Sequence, residues 1–462
     1  MQTRSTWRRT AALLAAGAMV LTACAEDTPD ESASPDESAA PVDAATDGMD
    51  GGSDMAVATG QGVTDEACPE AVNPDNGCIY LGTLSDLTEG PFAALGGPIT
   101  DAQAAFWNRV NEQGGIGGQY DVDVTTYVRD NKYNPETHNA LYQEIKPDIL
   151  ALAQTLGSPT TAAIADDLAA SNIIAAPASW TSQLEFQDVI LESGNNYCVE
   201  SSNALDYFAE QNGAAPASVL AVHYPGDYGW DGAAGAKKWA AANGVDFANI
   251  EQTPVGAGGT TDGAISQIVS TNPDVVILTV APTETAQIVG GAAAQGFTGR
   301  FIGNSPTWNP ALLDTPALPA LQALYWQAAP WAPYTTDTVG HQAMRDALAL
   351  ERGNDGYTAG WVWSYPLLAA LNGAYDAGDL TPAGMVAAVA ALGTVDYEGM
   401  LPEAAGNFGG TPREQAFGQT VIGQVDPESD SGVSLLQDFF EGPTQGAFPF
   451  DGPCFIEEGF AG

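Results

Sequence analysis

The chain has 462 residues, 45% of them hydrophobic, with 58 Asp and Glu against 13 Lys and Arg, for a net charge of −45. That length and apolar content support a large core divided into two or three lobes. A chain so acidic repels nucleic acid and anionic lipid heads, which sets aside nucleic-acid partners and leaves solubility as the plain reading of its charge.

The N-terminus begins with a basic stretch, Met1 to Thr10, carrying Arg4, Arg8 and Arg9. A short apolar run follows from Ala11 to Leu21, too short to span a bilayer as a mature helix. It leads into Leu21-Thr22-Ala23-Cys24, small residues just before a cysteine. This pattern resembles a lipoprotein processing site. The resemblance implies a signal peptide over residues 1–23, cleavage before Cys24 and diacylglycerol on its sulfur. A lipid-borne chain on the outer face of the cytoplasmic membrane is the expectation, because acyl chains contribute about 0.8 kcal/mol per buried CH₂.

Export also accounts for the remaining cysteines, Cys68, Cys78, Cys198 and Cys454. An even number in an oxidising compartment points to two disulfides, and sequence alone leaves three connectivities open. The short loop rich in Pro, Asn and Gly favours Cys68–Cys78, leaving Cys198–Cys454 to tie the C-terminal end to mid-chain. No CxxC pair or clustered histidine supports zinc, and no metal or other cofactor is expected. Residues 24–75 read as an acidic tether: most of the segment is Asp, Glu, Ser, Ala, Pro and Gly, with too little apolar surface to fold.

From Cys78 onward the pattern alternates. Ile79 to Gly82 reads as a buried strand. Thr100 is the expected N-cap of a helix from Asp101 to Gln113, ended by Gly114-Gly115. Strands are expected over 122–128, 149–153 and 173–176, with helices over 135–145 and 160–170 between them. A second block repeats the alternation: strands over 218–223, 274–280 and 300–303, helices over 232–242, 264–270 and 284–295. Such alternation means parallel sheets covered on both faces, with ligand beyond the carboxyl ends of the strands.

Four segments then point to one family. They are Gly82-Thr83-Leu84-Ser85-Asp86-Leu87-Thr88-Glu89-Gly90-Pro91; Gly114-Gly115-Ile116-Gly117-Gly118 with Asp130 and Asn134-Pro135; Leu156-Gly157-Ser158-Pro159-Thr160-Thr161 with Ala175 to Ser179; and Asp227-Tyr228-Gly229 with Thr261-Asp262 and Asn272 to Val276. From about residue 78 to 440 the chain resembles the branched-chain amino-acid (leucine/isoleucine/valine) binding proteins of ABC importers. The resemblance implies an α/β fold of the type I periplasmic binding protein kind: two doubly wound parallel-sheet lobes joined by a three-strand hinge. The N-terminal lobe is placed at 76–197 and 328–402, and the C-terminal lobe at 198–327 and 403–462. Crossings are expected near Tyr197–Ser201, Tyr325–Trp331 and Met400–Asn407. The implied function is capture of a small organic solute, an amino acid, amide or carboxylate, by a monomer that delivers it to the transmembrane permease subunits. A ligand-sensing receptor of the same fold is the alternative. An exported hydrolase ranks lower, since no Gly-x-Ser-x-Gly, His-Glu-x-x-His or Ser-x-x-Lys motif occurs, and the chain is not expected to be an enzyme.

The resemblance also implies a ligand site: Leu95 on the pocket wall, Gly157, Ser158 and Thr160 around a ligand carboxylate, Ala178, Ser179 and Trp180 after the next strand, and Tyr228 and Ser305 from the second lobe. Two of these depart from the family. Ser305 stands where a carboxylate pairs with the ligand ammonium, for which Glu284 or Asp262 would have to substitute. Trp180 stands where a small hydroxyl residue is usual, and with Trp308 and Trp326 it suggests a flatter, less polar ligand.

Overall fold

The computed structural model describes residues 57–455 except 351 and 449. The signal peptide, Cys24 and the tether up to residue 56 lie outside the described residues. Among the described residues fourteen strands follow one another along the chain: β1 (Ala58–Thr59), β2 (Val63–Thr64), β3 (Gly77–Ser85), β4 (Tyr120–Asp130), β5 (Ala151–Leu156), β6 (Ala175–Ala178), β7 (Ser218–His223), β8 (Asp246–Glu251), β9 (Val275–Thr279), β10 (Arg300–Gly303), β11 (Tyr325–Ala329), β12 (Asp379–Leu380), β13 (Thr420–Val425) and β14 (Val433–Phe440).

In the first lobe β3 pairs in parallel with β4 on one side and β5 on the other, β6 continues beyond β5, and β2 runs antiparallel along the start of β3. The β3 and β5 strands are almost wholly apolar and buried, as a sheet covered on both faces requires. The helices Ala93–Glu112 and Asp355–Asp376 pack closely on each other; a Cβ at Gly360 would come within 2.3 Å of the Ile99 carbonyl oxygen. In the second lobe the order is β14-β13-β11-β10-β9-β7-β8, with β7 to β11 parallel and β13 and β14 antiparallel. Both sheets are therefore mixed rather than purely parallel.

Several expectations need correction. Residues 57–75, assigned to the tether, are ordered: β1 pairs with β12, β2 with β3, and Cys68 is bonded to Cys78. Backbone pairing and a covalent bond supply the order that apolar burial does not. The second disulfide joins Cys198 to Cys454. The first long helix begins at Ala93, not Asp101, so Thr100 is interior, its hydroxyl bonded to the Gly96 carbonyl at 2.9 Å. The helix expected over 160–170 is two, Ser158–Ala162 and Ala165–Ser171. Tyr197–Ser201 opens the helix Tyr197–Asn212, and Tyr325–Ala329 is β11, so neither is a free crossing. The chain instead leaves the first sheet in the segment 179–196 and the second sheet in 330–338, and re-enters the second sheet in 391–419, after the helix Pro382–Ala390.

Candidate functional site

The loops at the carboxyl ends of β5, β6, β10 and β11 converge with both long helices of the first lobe on a cavity holding about 570 Å³ of empty space.

The loop after β5 is the most firmly built part. Gly157 turns the chain at φ +103, where a Cβ would meet the Tyr133 ring at 2.6 Å. Behind it runs a buried polar chain. Asn131 Nδ2 donates to His138 Nδ1 at 2.9 Å, which leaves His138 Nε2–H to donate to Thr155 Oγ1 at 3.0 Å. Thr155 Oγ1 is 3.0 Å from Thr161 Oγ1. Burial pushes His138 down to about 3, so the ring is neutral and its tautomer is fixed by the Asn131 donor. Thr160 Oγ1 donates to the carbonyls of Leu156 and Gly157.

After β6, Ser179 Oγ lies 2.6 Å from Ser158 Oγ, and Trp180 Nε1–H donates to the Ser193 carbonyl at 2.8 Å. The Trp180 ring packs against Trp331 and Trp363, with centroids at 4.5 and 4.6 Å. From the second lobe, Tyr228 donates to the Val280 carbonyl at 2.9 Å and packs edge-on to Tyr197 at 4.8 Å and Phe92 at 5.8 Å. Trp308 donates to the Ser431 carbonyl at 3.1 Å.

Ser305 is held by Glu200. The Glu200 carboxyl accepts from the Ser305 amide at 2.9 Å, the Ser305 hydroxyl at 3.1 Å and Asn304 Nδ2 at 3.0 Å. Burial pushes Glu200 up to about 8, against the lowering effect of these donors. The acid is thus spent on the loop and does not border the cavity. The suggested substitutes do not reach it either. Glu284 accepts from the Val255 amide at 2.7 Å, and Asp262 opens the helix Asp262–Thr271; neither borders the cavity.

Of the residues expected at the site, Leu95, Gly157, Ser158, Ala178, Trp180, Tyr228 and Ser305 border this one cavity. Thr160 and Ser179 do not; they hold the loop and Ser158 from behind. Trp308 borders it, whereas Trp326 lies on β11 under Arg300, whose guanidinium is 4.3 Å from its ring. Sequence reasoning missed Tyr133, Tyr197, Trp331, Asp355 and Trp363. Asp355 and Trp363 come from the helix Asp355–Asp376, beyond the two alternating blocks, and its packing on Ala93–Glu112 brings them here, whereas Trp331 follows the end of β11. Asp355 is the one ionisable acid or base among the described lining residues; burial pushes it up to about 6.

Residues 79–431 match the family model described as periplasmic binding protein. The chain belongs to the periplasmic binding protein family. This binding protein matches no curated protein, but its fold matches solved structures over most of its length. A fatty acid ABC transporter substrate-binding protein from Thermomonospora curvata is 25% identical, with a TM-score of 0.77 over 86% of this chain and 98% of that one. A branched-chain amino acid ABC transporter protein from Thermus thermophilus with bound valine is 17% identical, with a TM-score of 0.68 over 80% of this chain and 98% of that one. A leucine binding protein from Thermotoga maritima is 14% identical, with a TM-score of 0.64 over 78% and 98%. Family and fold make this an extracytoplasmic substrate-binding protein of the kind that serves ABC transporters, and both disulfides fit that compartment.

Proposed function

We propose that this binding protein captures an organic acid with an apolar body, fatty-acyl or aryl, rather than an α-amino acid. It delivers that acid to an ABC permease while held at the membrane by lipid on Cys24. One observation carries the ligand class. Eight aromatic rings border the cavity, Ser305 replaces the carboxylate that would pair with an ammonium, and Glu200 beneath it is already saturated with donors. An α-ammonium at Ser305 would lose its hydration with Glu200 already taken, and would have Asp355 as the one carboxyl bordering the cavity among the described residues. Ring faces instead reward apolar surface.

The hydroxyls of Ser158 and Tyr197 border the cavity and offer donors to a carboxylate, with Ser179 behind Ser158 at 2.6 Å. The likeness to the Thermomonospora fatty acid protein supports the same ligand class. Closure is driven by differential binding: a ligand touching Ser158 and Trp180 on one side and Tyr228 and Ser305 on the other favours the closed form.

Isothermal titration of the mature protein with octanoate, 3-phenylpropanoate, octanamide and leucine tests the reading. The two acids are expected to bind at micromolar or better, with leucine at least about 100-fold weaker, a cost on the order of 3 kcal/mol. Leucine or valine binding more tightly than either acid would overturn it.

A further inference from the structure

The cavity contains polar groups that the acid-binding corner does not use. The indole Nε1–H groups of Trp331 and Trp363 are both buried and have no acceptor among the described residues. Trp331 is 5% exposed and Trp363 1%, so bulk solvent does not reach either donor. A buried donor left unmade is unfavourable, and native proteins keep few of them. The other tryptophans of the cavity, Trp180 and Trp308, both donate to backbone carbonyls. The unpaired donors are thus confined to one part of the wall.

The same part carries Asp355. It lies in the first turn of the helix Asp355–Asp376, and Gly356, Ala359 and Trp363 continue the cavity-facing side of that helix. Trp363 lies about two turns along the same helix from Asp355. Trp331 and Asp355 are neighbours by a second criterion, because both border a smaller cavity of about 200 Å³ beside β13 and β14. The Asp355 carboxyl accepts one long backbone bond, from the Tyr334 amide at 3.4 Å, and the Ser431 and Gln327 side chains lie near enough to lower it against its burial.

Two unpaired donors and one acceptor on residues that border one cavity suggest a complement. A hydroxyl carries two lone pairs and one proton, so it can accept from both indoles and donate to Asp355. A methyl group could do none of these. We infer that Trp331, Trp363 and Asp355 form a second polar subsite, which takes a hydroxyl on the ligand's apolar body. The preferred ligand is then a hydroxylated acid, aliphatic or phenolic, and not a plain fatty acid. This inference rests on the apolar-acid reading given above.

Titration of matched pairs tests it: octanoate against 8-hydroxyoctanoate, and 3-phenylpropanoate against 3-(4-hydroxyphenyl)propanoate. In at least one pair the hydroxylated member should bind at least about 10-fold more tightly, since a site built to bond a hydroxyl rejects the analogue lacking it. Trp331→Phe and Trp363→Phe each keep a ring and remove a donor. Each should cut the ratio of hydroxylated-acid to plain-acid affinity several-fold, whatever the smaller ring does to the plain acid itself, and thermal unfolding of each variant reports that it is folded. If plain acids bind as tightly as their hydroxylated partners in the unaltered protein, the subsite is refuted and the apolar-acid reading stands. A hydroxyl advantage that survives both substitutions refutes the subsite equally. If no acid of either kind binds, the apolar-acid reading falls and the subsite falls with it.

Discussion

Raising the pH from about 6.5 to about 8.5 should destabilise this protein, and Glu200 should account for much of the loss. Its carboxyl is fully buried between Ser305 and Asn304, and burial, with Asp231 adding to it, pushes it up to about 8 from an ordinary 4.5. A folded-state value above the unfolded one means that the stability is present in acid and is lost as pH rises through the folded value. In the unfolded chain Glu200 is already ionised at pH 6.5, while in the fold it gives up its proton only across this window. At about 1.4 kcal/mol for each tenfold change in proton activity, Glu200 alone contributes a loss of about 2 kcal/mol. Asp231, pushed up to about 7, adds about 1 kcal/mol in the same direction. Glu185, pushed up to about 8, and Glu192, also raised by burial, act in the same direction, so for a folded unit of roughly 400 residues Tm falls by at least about 3 °C.

The histidines oppose this weakly. Burial lowers His138, His223 and His341, and because each is half protonated in the unfolded chain at pH 6.5, each returns at most about 0.4 kcal/mol as pH rises through the window. Surface repulsion in so acidic a chain also grows with pH, but salt screens it and does not screen a buried carboxyl. Thermal unfolding in about 0.5 M NaCl therefore isolates the buried part. Glu200→Gln should start with a lower Tm at pH 6.5 and show a flatter slope. A Tm that stays level or rises with pH in high salt would refute the reasoning, as would a Glu200→Gln slope equal to that of the unaltered protein.

Removing the Cys68–Cys78 bridge by substituting both with Ser frees a segment of sequence separation 10, which should cost about 3 kcal/mol in chemical denaturation. Trp180→Ala removes the ring between Trp331 and Trp363 and should weaken ligand binding by at least about 30-fold, read by titration, with a stability loss of about 3–5 kcal/mol. His138→Ala takes one partner each from Asn131 Nδ2 and Thr155 Oγ1, which keep the Leu156 carbonyl and Thr161 Oγ1, and should cost about 1–3 kcal/mol. It should also lower ligand affinity without any contact to the ligand, because the Ser158 loop loses its backing.

Where local signals were strong, elements could be read from sequence. The helix Pro135–Ile145 has Asn134 as a true cap, its side chain accepting from the Thr137 amide at 2.8 Å, with proline at the first turn. Strands β7 and β10 fall on their expected residues, because each is a short apolar run bounded by turn signals. The helix Ala93–Glu112 was misplaced because Gly96, Gly97 and Pro98 read as a break. Tertiary packing overrides that signal, since a Cβ at Gly96 would lie 2.0 Å from the Asp86 carbonyl oxygen. The helix Tyr197–Asn212 was missed for a different reason. Its buried side carries Glu200, Ser201, Ser202, Asn203 and Asp206, so it has no apolar stripe to detect. The site divides along the same line. Residues beside their own strand ends, such as Ser158, Ala178 and Ser305, were legible, whereas Trp331, Asp355 and Trp363 depend on packing between distant segments.

The two disulfides impose a timetable on the maturing chain. Cys68 and Cys78 emerge within ten residues of each other, so an oxidising enzyme acting as the chain emerges makes that pair first and makes it correctly. Cys198 has no such neighbour. Its partner lies 256 residues later, near the end of the chain, so it must wait as a reduced thiol until almost all the remaining sequence has crossed. In the finished fold Cys198 sits in the first turn of the helix Tyr197–Asn212 and is 2% exposed, so the bridge, once closed, is shielded from exchange with outside thiols.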